Sequence, residues 1–160
     1  MGDKMQFIIE KASFNDAKKA NDLLTKLIID EKKYDKNINE KCIVSSLYEK
    51  FYNDDNVCLL VAKTAENIIG YLYGYIDYND SSVISKVSKL DALFVLEDFR
   101  GHKVASELIS LFKKWSYEKG AKYVELTVCI GNEQAAGLYE KLLFKPKKIV
   151  MSSKIDDFDL

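Results

Sequence analysis

The order of hydrophobic and polar residues predicts a strand and two helices at the start of the chain. Residues 5–12, MQFIIEKA, are rich in β-branched and apolar side chains and are typical of a strand. The apolar residues that follow recur at helical spacing, and Asn15 or Asp16 precedes them as a cap. This apolar stripe consists of Ala17, Ala20, Leu23, Leu24, Leu27 and Ile28. A second helix, after a polar connection at 30–37, has an apolar face made of Ile43, Leu47 and Phe51.

The middle of the chain reads as consecutive strands. Two β-branched and aromatic runs, 57–63 and 68–78, flank Ala65-Glu66-Asn67 and predict a hairpin. Residues 88–96 predict another strand. Its alternation places Leu90, Ala92, Phe94 and Leu96 on one face and Asp91, Leu93, Val95 and Glu97 on the other, unless a bulge resets the register.

The last third alternates helices and strands. The third predicted helix ends at Lys119-Gly120, and its apolar positions are Val104, Leu108, Leu111, Phe112 and Trp115. A strand at 122–130, a helix at 132–144 capped by Asn132 and a strand at 147–154 complete the order β-α-α-β-β-β-α-β-α-β. We therefore expect an α/β fold, a mixed sheet with helices on its faces. No linker divides the sequence, which predicts one domain over 1–160.

Charge and cysteine content narrow the function classes. A net charge of −1 with interspersed signs gives no basic surface for nucleic acid. No apolar run approaches the roughly 20 residues of a membrane span, and the start has no leader pattern, so we expect a cytoplasmic protein. Three cysteines without paired spacing predict reduced thiols, with neither a disulfide framework nor a metal site.

The stretch FRGHKVASEL at 99–108 joins a predicted strand to a predicted helix. The first NH groups of a helix lack helical partners and attract anions, phosphate above all. Gly101 allows close approach, and Arg100 and Lys103 add positive charge. The stretch lacks the glycine spacing of nucleotide-binding P-loops and dinucleotide folds. By itself, one glycine before a helix leaves both an anion site and an ordinary loop open.

Two motifs give this turn a specific meaning. The stretch from Arg100 to Ala105 resembles the [QR]-x-x-G-x-[GA] pattern of the GNAT superfamily of acyl-CoA-dependent N-acyltransferases. About 30 residues later, NEQAAGLYEKLLF resembles the family's N-x-x-A-x-x-L-Y-x-K-x-G-F helix. Its matching positions are Asn132, Ala135, Leu138, Tyr139, Lys141 and Phe144. The resemblance implies a mostly antiparallel central sheet of six to seven strands, four flanking helices and acetyl-CoA as cosubstrate, with no metal.

The resemblance also implies roles for individual residues. The cofactor's pyrophosphate would lie on the turn, whose residues are Arg100, Gly101, His102, Lys103, Val104, Ala105 and Ser106. Its pantetheine arm would pair with the preceding strand at Leu93, Phe94 and Val95 and contact Asn132. The Val95 NH would stabilise the oxyanion, and Tyr139 would protonate the departing thiolate. His102 then lies beside the phosphates and is not a base.

Lys103 and Leu143 stand where the family usually has glycine. In a first helical turn Lys103 is sterically acceptable and can pair with a phosphate, which we favour. If the position requires a positive φ, Lys103 alters the phosphate loop instead. Leu143 bears only on the geometry of the helix end.

Three other sets of side chains have two readings each. Spacing alone makes Tyr139 a core tyrosine, whereas the resemblance favours a general acid. Asp91 is either a general base or amine anchor, or a solvated acid at a strand edge. Aromatic packing explains Tyr71, Tyr73 and Tyr75 better than an acceptor pocket does.

The sequence thus predicts an N-acetyltransferase in which a primary amine attacks the thioester of acetyl-CoA directly. We expect the acceptor near the first two helices and the 30–37 connection, where the mixed charges leave a small amine, a polyamine and a protein amine all open. A homodimer is compatible with this prediction. The alternative is a non-catalytic acyl-CoA-binding module with a phosphate loop altered at Lys103.

Overall fold

The computed structural model describes residues 4–78 and 82–157, and within them it contains one five-stranded sheet and three α-helices. The strands are β1 (Ile8–Lys11), β2 (Val57–Lys63), β3 (Ile68–Asp77), β4 (Val87–Val95) and β5 (Tyr123–Leu126). The helices are α1 (Phe14–Glu31), α2 (Val104–Glu118) and α3 (Glu133–Lys141). The predicted class, a mixed sheet with helices on its faces, is confirmed. The predicted single domain includes 1–3, 79–81 and 158–160, which lie outside the described residues.

The sheet combines an antiparallel meander with one parallel strand. Its order is β1-β2-β3-β4-β5, and the first four strands are antiparallel to their neighbours. β5 runs parallel to β4, from Val87 opposite Tyr123 to Leu90 opposite Leu126. A parallel pair needs a crossover connection, and α2 supplies it.

Hydrophobic residues fill both faces of the sheet. On β2, Leu59 and Val61 pack on the α1 side, whereas Cys58 and Ala62 pack on the α2 side. This alternation follows from the two-residue period of a strand, and it shows that both faces of the meander are covered. No helix among the described residues combines the length and the apolar character that crossing a bilayer requires.

The N-cap of helix α1 lies two to three residues before the predicted cap. Ser13 is the N-cap: its hydroxyl accepts a hydrogen bond from the Asp16 NH at 3.1 Å, and the Asp16 carboxylate accepts one from the Ser13 NH at 2.9 Å. This reciprocal capping box satisfies two NH groups that lack helical partners. Asn15 and Asp16, the predicted caps, therefore lie inside the helix.

The predicted second helix is absent, which makes three helices rather than four within the described ranges. Only a short 3₁₀ turn, Tyr48–Lys50, forms there. The reason is competition for backbone NH groups by side chains of α1. The Asn21 Oδ1 accepts from the NH groups of Leu47 and Tyr48 at 3.3 and 3.2 Å, and the Thr25 hydroxyl accepts from the Val44 NH at 2.9 Å. These bonds replace the helical ladder that the apolar spacing predicted.

The predicted last strand at 147–154 is also absent, and the predicted strand at 122–130 shortens to β5. The expectation of six to seven strands is therefore wrong for the described residues, which form five. Ile149, Val150 and Met151 are 76%, 84% and 89% exposed. Three consecutive apolar residues give no single apolar face, and no neighbouring strand pairs with them in the described chain.

Candidate active site

The sheet opens where β4 and β5 separate. Their pairing ends at Leu90 and Leu126, while β4 continues to Val95. Asp91 is the extra residue of a bulge, because Tyr73 lies opposite Ala92 and Gly74 lies opposite Leu90. The gap between the two strands therefore begins at the bulge.

The bulge resets which face of β4 each side chain occupies. Ala92 and Phe94 pack on the α1 side, whereas Leu90, Leu93 and Val95 pack on the α2 side. The predicted alternation was conditional on the absence of a bulge, and the bulge is present: Leu90 does not share a face with Ala92 and Phe94, because an inserted residue inverts the alternation that follows it.

The edge of β4 that borders the gap carries unpaired backbone groups. The Leu96 NH donates to the Ile69 carbonyl at 2.8 Å. In an antiparallel ladder this bond turns the NH groups of Val95 and Leu93 away from β3 and toward the gap. An extended ligand can pair with such an edge as another strand would.

The turn before α2 presents free NH groups. The first hydrogen bond of the helix runs from the Glu107 NH to the Lys103 carbonyl at 3.0 Å. Helical geometry therefore gives no partner to the NH groups of Val104, Ala105 and Ser106, and the helix dipole adds positive potential there. Gly101 has a φ of +79° and open space beside it. This end of α2 suits an anion.

The two residues that replace family glycines have left-handed backbones. Lys103, the N-cap of α2, has φ 66°, and Leu143, just beyond α3, has φ 69°. No other non-glycine residue in the described ranges has a positive φ. The prediction that Lys103 lies in the first helical turn is wrong: it occupies a conformation that costs a residue with a Cβ about 1–2 kcal/mol.

The side chain of Arg100 is committed within the protein. Its Nε donates to the Val95 carbonyl at 2.8 Å, and its Nη2 lies 3.3 Å from the Asp30 carboxylate. Its guanidinium stacks 5.3 Å from the centre of the Phe94 ring. Arg100 thus ties the end of β4 to the end of α1, while its predicted role toward phosphate stays a prediction.

His102 is exposed at the turn. Its Nδ1 lies 2.9 Å from the Arg100 carbonyl and 3.3 Å from the Phe99 carbonyl, which a protonated Nδ1 satisfies as donor. The imidazole therefore braces the turn rather than facing the gap.

A cavity of about 90 Å³ lies in the gap between β4 and β5. Its walls come from α1, from β4, from the segment at the end of β5, and from α3. The residues are Leu27, Glu31, Leu90, Asp91, Leu93, Leu126, Thr127, Val128, Cys129, Asn132, Ala135 and Tyr139. The structure thus brings together four predicted site residues, namely Leu93, Asp91, Asn132 and Tyr139. Phe94, Val95 and the turn from Arg100 to Ser106 lie outside this lining.

Tyr139 reaches the cavity from α3. Its ring packs edge-on against Phe144 at 5.8 Å, and its hydroxyl has no hydrogen-bond partner among the described residues. Burial, together with the charge of Glu31, raises the pKa of Tyr139 to about 12, so the phenol stays protonated at neutral pH. Asn132 caps α3, since its Oδ1 accepts from the Ala135 NH at 3.2 Å.

Two carboxylates border the cavity, and sequence reasoning missed one of them. Burial raises the pKa of Asp91. Burial also raises the pKa of Glu31, and the charges of Asp35 and Asp91 add to this shift. Glu31 follows Leu27 by four residues, in phase with the apolar stripe of α1. An acid that continues an apolar stripe was the available clue.

The thiol of Cys129 lines the cavity, but its pKa is raised by burial and by the charges of Glu31 and Asp35. A raised pKa keeps the sulfur protonated and poorly nucleophilic. Cys58 is buried, and all three cysteines are free thiols.

The tyrosines of β3 pack against one another. Tyr71 and Tyr48 are buried, and their hydroxyls share a hydrogen bond of 3.1 Å. Tyr73 lies 5.0 Å from the ring of Tyr48 and 5.9 Å from that of Tyr75. Aromatic packing, the favoured reading, is confirmed.

Comparison with known proteins identifies the class and then the family of the protein. The class is that of the acyltransferases, which the two motifs predicted and which the matching family model and the curated relatives support. A model of the acetyltransferase (GNAT) family matches residues 24–144, more than half of the chain. The protein therefore belongs to the GNAT family of acetyltransferases, as the two motifs predicted.

Curated relatives agree with the family. An acetyltransferase of Yersinia enterocolitica is 30% identical over 106 residues, which are 66% of this chain and 70% of the relative. An uncharacterized N-acetyltransferase of Methanocaldococcus jannaschii is 34% identical over 76 residues, 46% of this chain and 34% of the relative. The matched region spans about a third of the archaeal protein.

Solved structures share the fold. A mutant BH1408 protein from Bacillus halodurans superposes with a TM-score of 0.81 at 19% identity, over 92% of this chain and 99% of that one. The aminoglycoside N-acetyltransferase AAC(6')-Iy in complex with CoA gives a TM-score of 0.70 at 20% identity, over 94% and 95%. At these identities the likeness concerns the fold.

Proposed function

We propose that the protein transfers an acetyl group from acetyl-CoA to a primary amine. The observation that carries this proposal is the gap in the sheet. Leu93 and Tyr139 line the cavity in this gap, and the NH groups of Val95 and of the α2 N-terminus follow along the same strand and the turn after it, outside the lining. Family membership and the CoA complex of a structural neighbour support the same reading.

The donor set fits the parts of acetyl-CoA. The NH groups of Val104, Ala105 and Ser106 suit its pyrophosphate, and Lys103, which is exposed beside them, adds a mobile positive charge. The free edge of β4 suits the amide groups of its pantetheine arm. When bound, acetyl-CoA supplies an activated acyl thioester, and the protein supplies orientation and proton transfer.

Asp91 and the backbone of β4 would act on the attacking amine and the carbonyl. A free amine has a pKa near 10 and is mostly protonated at neutral pH, so it must lose a proton before attack. Asp91, at the bulge and with a raised pKa, is our candidate for accepting that proton. The Val95 NH, turned toward the gap, is the candidate donor to the developing oxyanion.

Tyr139 would return a proton to the sulfur. Its pKa of about 12 ensures that the phenol carries its proton at neutral pH. Transfer to a thiolate, whose pKa in water is near 8.5, becomes favourable only as burial raises the pKa of the sulfur. Exclusion of water by the cleft is thus part of the proposed role of Tyr139.

Thiol release from acetyl-CoA over a panel of amines tests the proposal. We expect Tyr139→Phe to lower kcat about 100-fold while leaving the Kd for CoA nearly unchanged. Tyr117→Phe, the same substitution at a tyrosine that is 78% exposed on α2, is the matched control. An unchanged rate in Tyr139→Phe would remove this residue from the mechanism. Tight CoA binding without thiol release from any amine would favour the non-catalytic binding module.

A further inference from the structure

The cavity described above is lined by one more carboxylate than the proposed reaction requires. Acetyl transfer requires at most one base, yet two carboxylates, Glu31 and Asp91, line the same cavity as Tyr139. Neither carboxylate has an ion pair or hydrogen bond to any side chain or NH group that the structure describes. Asp91 is exposed at the cleft, whereas Glu31 is partly buried, and a partly buried carboxylate without a partner is costly unless a ligand supplies positive charge.

The basic side chains of the neighbouring segment are engaged elsewhere. The Lys32 Nζ donates to the carbonyls of Lys36 and Ile38 at 2.6 and 2.7 Å. Lys33 lies over the Tyr34 ring at 5.1 Å. Arg100, on the far side, is paired with Asp30, as described above. None of these three described side chains therefore directs its charge onto Glu31.

The end of α1 strengthens the negative potential. Glu31 is the last residue of this helix, whose final turn contains no basic residue. The aligned backbone dipoles of a helix place about half a negative charge at its C-terminus, and this field adds to that of the carboxylate, although the Glu31 carbonyl itself accepts from the NH groups of Tyr34 and Asp35. Asp35 lies close enough to raise the pKa of Glu31 further. The cavity thus has one strongly negative corner, at α1.

Two aromatic side chains lie near the other carboxylate, outside the cavity lining and packed within the β3 aromatic cluster. Tyr73 and Tyr75, half-buried on β3, lie near Asp91: burial raises the pKa of each, and the charge of Asp91 adds to both shifts. Aromatic faces next to carboxylates stabilise alkylammonium groups and the carbon chains between them. The two carboxylates of the cavity fall short of the six or more oxygen ligands that Ca²⁺ and Mg²⁺ take, so they suit an organic cation better than a hard metal ion.

We propose that the acceptor is a small molecule with two or more amino groups, and that Glu31 is the specificity-determining residue that holds the amino group not undergoing acetylation. This inference rests on the proposed function of the same cleft. One amino group gives a proton to Asp91 and attacks the thioester carbon; the carbon–sulfur bond then breaks, Tyr139 protonates the departing CoA thiolate, and the second proton lost by the nitrogen restores Tyr139. The other stays an ammonium ion and donates to the Glu31 carboxylate. Asp91 is left to take up the proton of the attacking group.

Matched pairs of probes test this inference. The diamines with three, four and five methylene groups are compared with the primary monoamines of the same chain length. We expect kcat/KM to be about 10- to 100-fold higher for the best diamine than for its monoamine. The monoamine lacks the second ammonium group and cannot make the charged hydrogen bond to Glu31. In Glu31→Gln this preference should collapse, because KM rises more for the diamine than for the monoamine, whereas any change in kcat that follows from the lost charge beside Tyr139 is shared by both substrates.

A control separates this role from a structural one. Asp22→Asn removes the same charge from the exposed side of the same helix and should keep the preference intact. If Glu31→Gln lowers the values for diamine and monoamine equally, or if wild type does not distinguish them, the inference is overturned while acetyl transfer stands. If no amine of either kind releases thiol from acetyl-CoA, the proposed function fails and the inference fails with it.

Discussion

The two walls of the cleft differ in how they are built. β4 is buried over most of its length, and α1 and α2, which cover its faces, each contribute five buried residues. On the opposite wall, neither β5 nor α3 contains a fully buried residue. One wall is part of the core, while the other is attached to it.

Few contacts attach the second wall. The Lys113 Nζ donates to the Leu142 carbonyl at 2.7 Å and lies 4.5 Å from the centre of the Phe144 ring. Leu138 and Tyr139 pack, partly buried, against the α2-side core. Regions with little buried apolar surface open at a lower free energy than the core. The rigid wall, β4, thus contributes backbone NH groups and Asp91 to the cleft. The less stable wall, formed by β5 and α3, contributes Tyr139.

The largest expected effect comes from overfilling the rigid wall. A methyl group at Gly74 would overlap the Phe112 ring and lie 2.6 Å from the Lys89 carbonyl. Gly74→Ala should therefore lower the free energy of unfolding by about 2–3 kcal/mol, because the core cannot yield. Urea unfolding of Gly74→Ala and of the wild-type protein measures this loss of stability. A loss below about 0.5 kcal/mol would show that this wall is no firmer than the other.

Relief of backbone strain at the second wall should raise the free energy of unfolding, whereas Gly74→Ala lowers it. Leu143 has φ 69° and is 84% exposed, so its side chain contributes little packing. Leu143→Gly should raise stability by about 1 kcal/mol through relief of the left-handed conformation. Leu143→Ala, which keeps a Cβ, should change it by less than about 0.5 kcal/mol. Equal effects of Gly and Ala in urea unfolding would contradict the strain argument.

The smallest effect should come from the middle of α3. Gly137 has no atom within 4 Å of an added methyl group, so Gly137→Ala should stabilise α3 by about 0.5–1 kcal/mol. Amide hydrogen exchange of the α3 backbone should slow accordingly. Gly101→Ala is the control, since it also has open space but φ +79°, and it should destabilise. Faster exchange in Gly137→Ala would mean that this wall is already tightly packed.

Local patterns predicted the parts of the fold that depend on local interactions. The β2–β3 hairpin, α2, α3 and the turn between β4 and α2 form where periodicity and caps placed them. The second helix failed because Asn21 and Thr25, about 20 to 30 residues away, capture its NH groups. The last strand failed because a strand needs a neighbouring edge, which composition does not report.

In the candidate site, too, local sequence patterns identified some residues, whereas features that depend on the packing of distant elements were missed. Tyr139 and Asn132 were found from a sequence motif, and both line the cavity. Glu31 was missed because only the packing of α1 beside the gap turns a helix-end carboxylate into a wall of the cleft. The backbone φ of Lys103 was mispredicted because lysine rarely adopts the left-handed conformation, and its identity therefore does not indicate one.

The late position of β5 in the chain has a consequence for biosynthesis. β1 to β4 pair as neighbours along the meander, whereas β5 reaches the sheet only after α2 has crossed it. Chains emerge from the ribosome N-terminus first and begin to fold during synthesis. A nascent chain that ends before Tyr123 can form the meander but has only one side of the cleft. We therefore expect binding competence to arise in the last step of folding, when β5 and α3 dock.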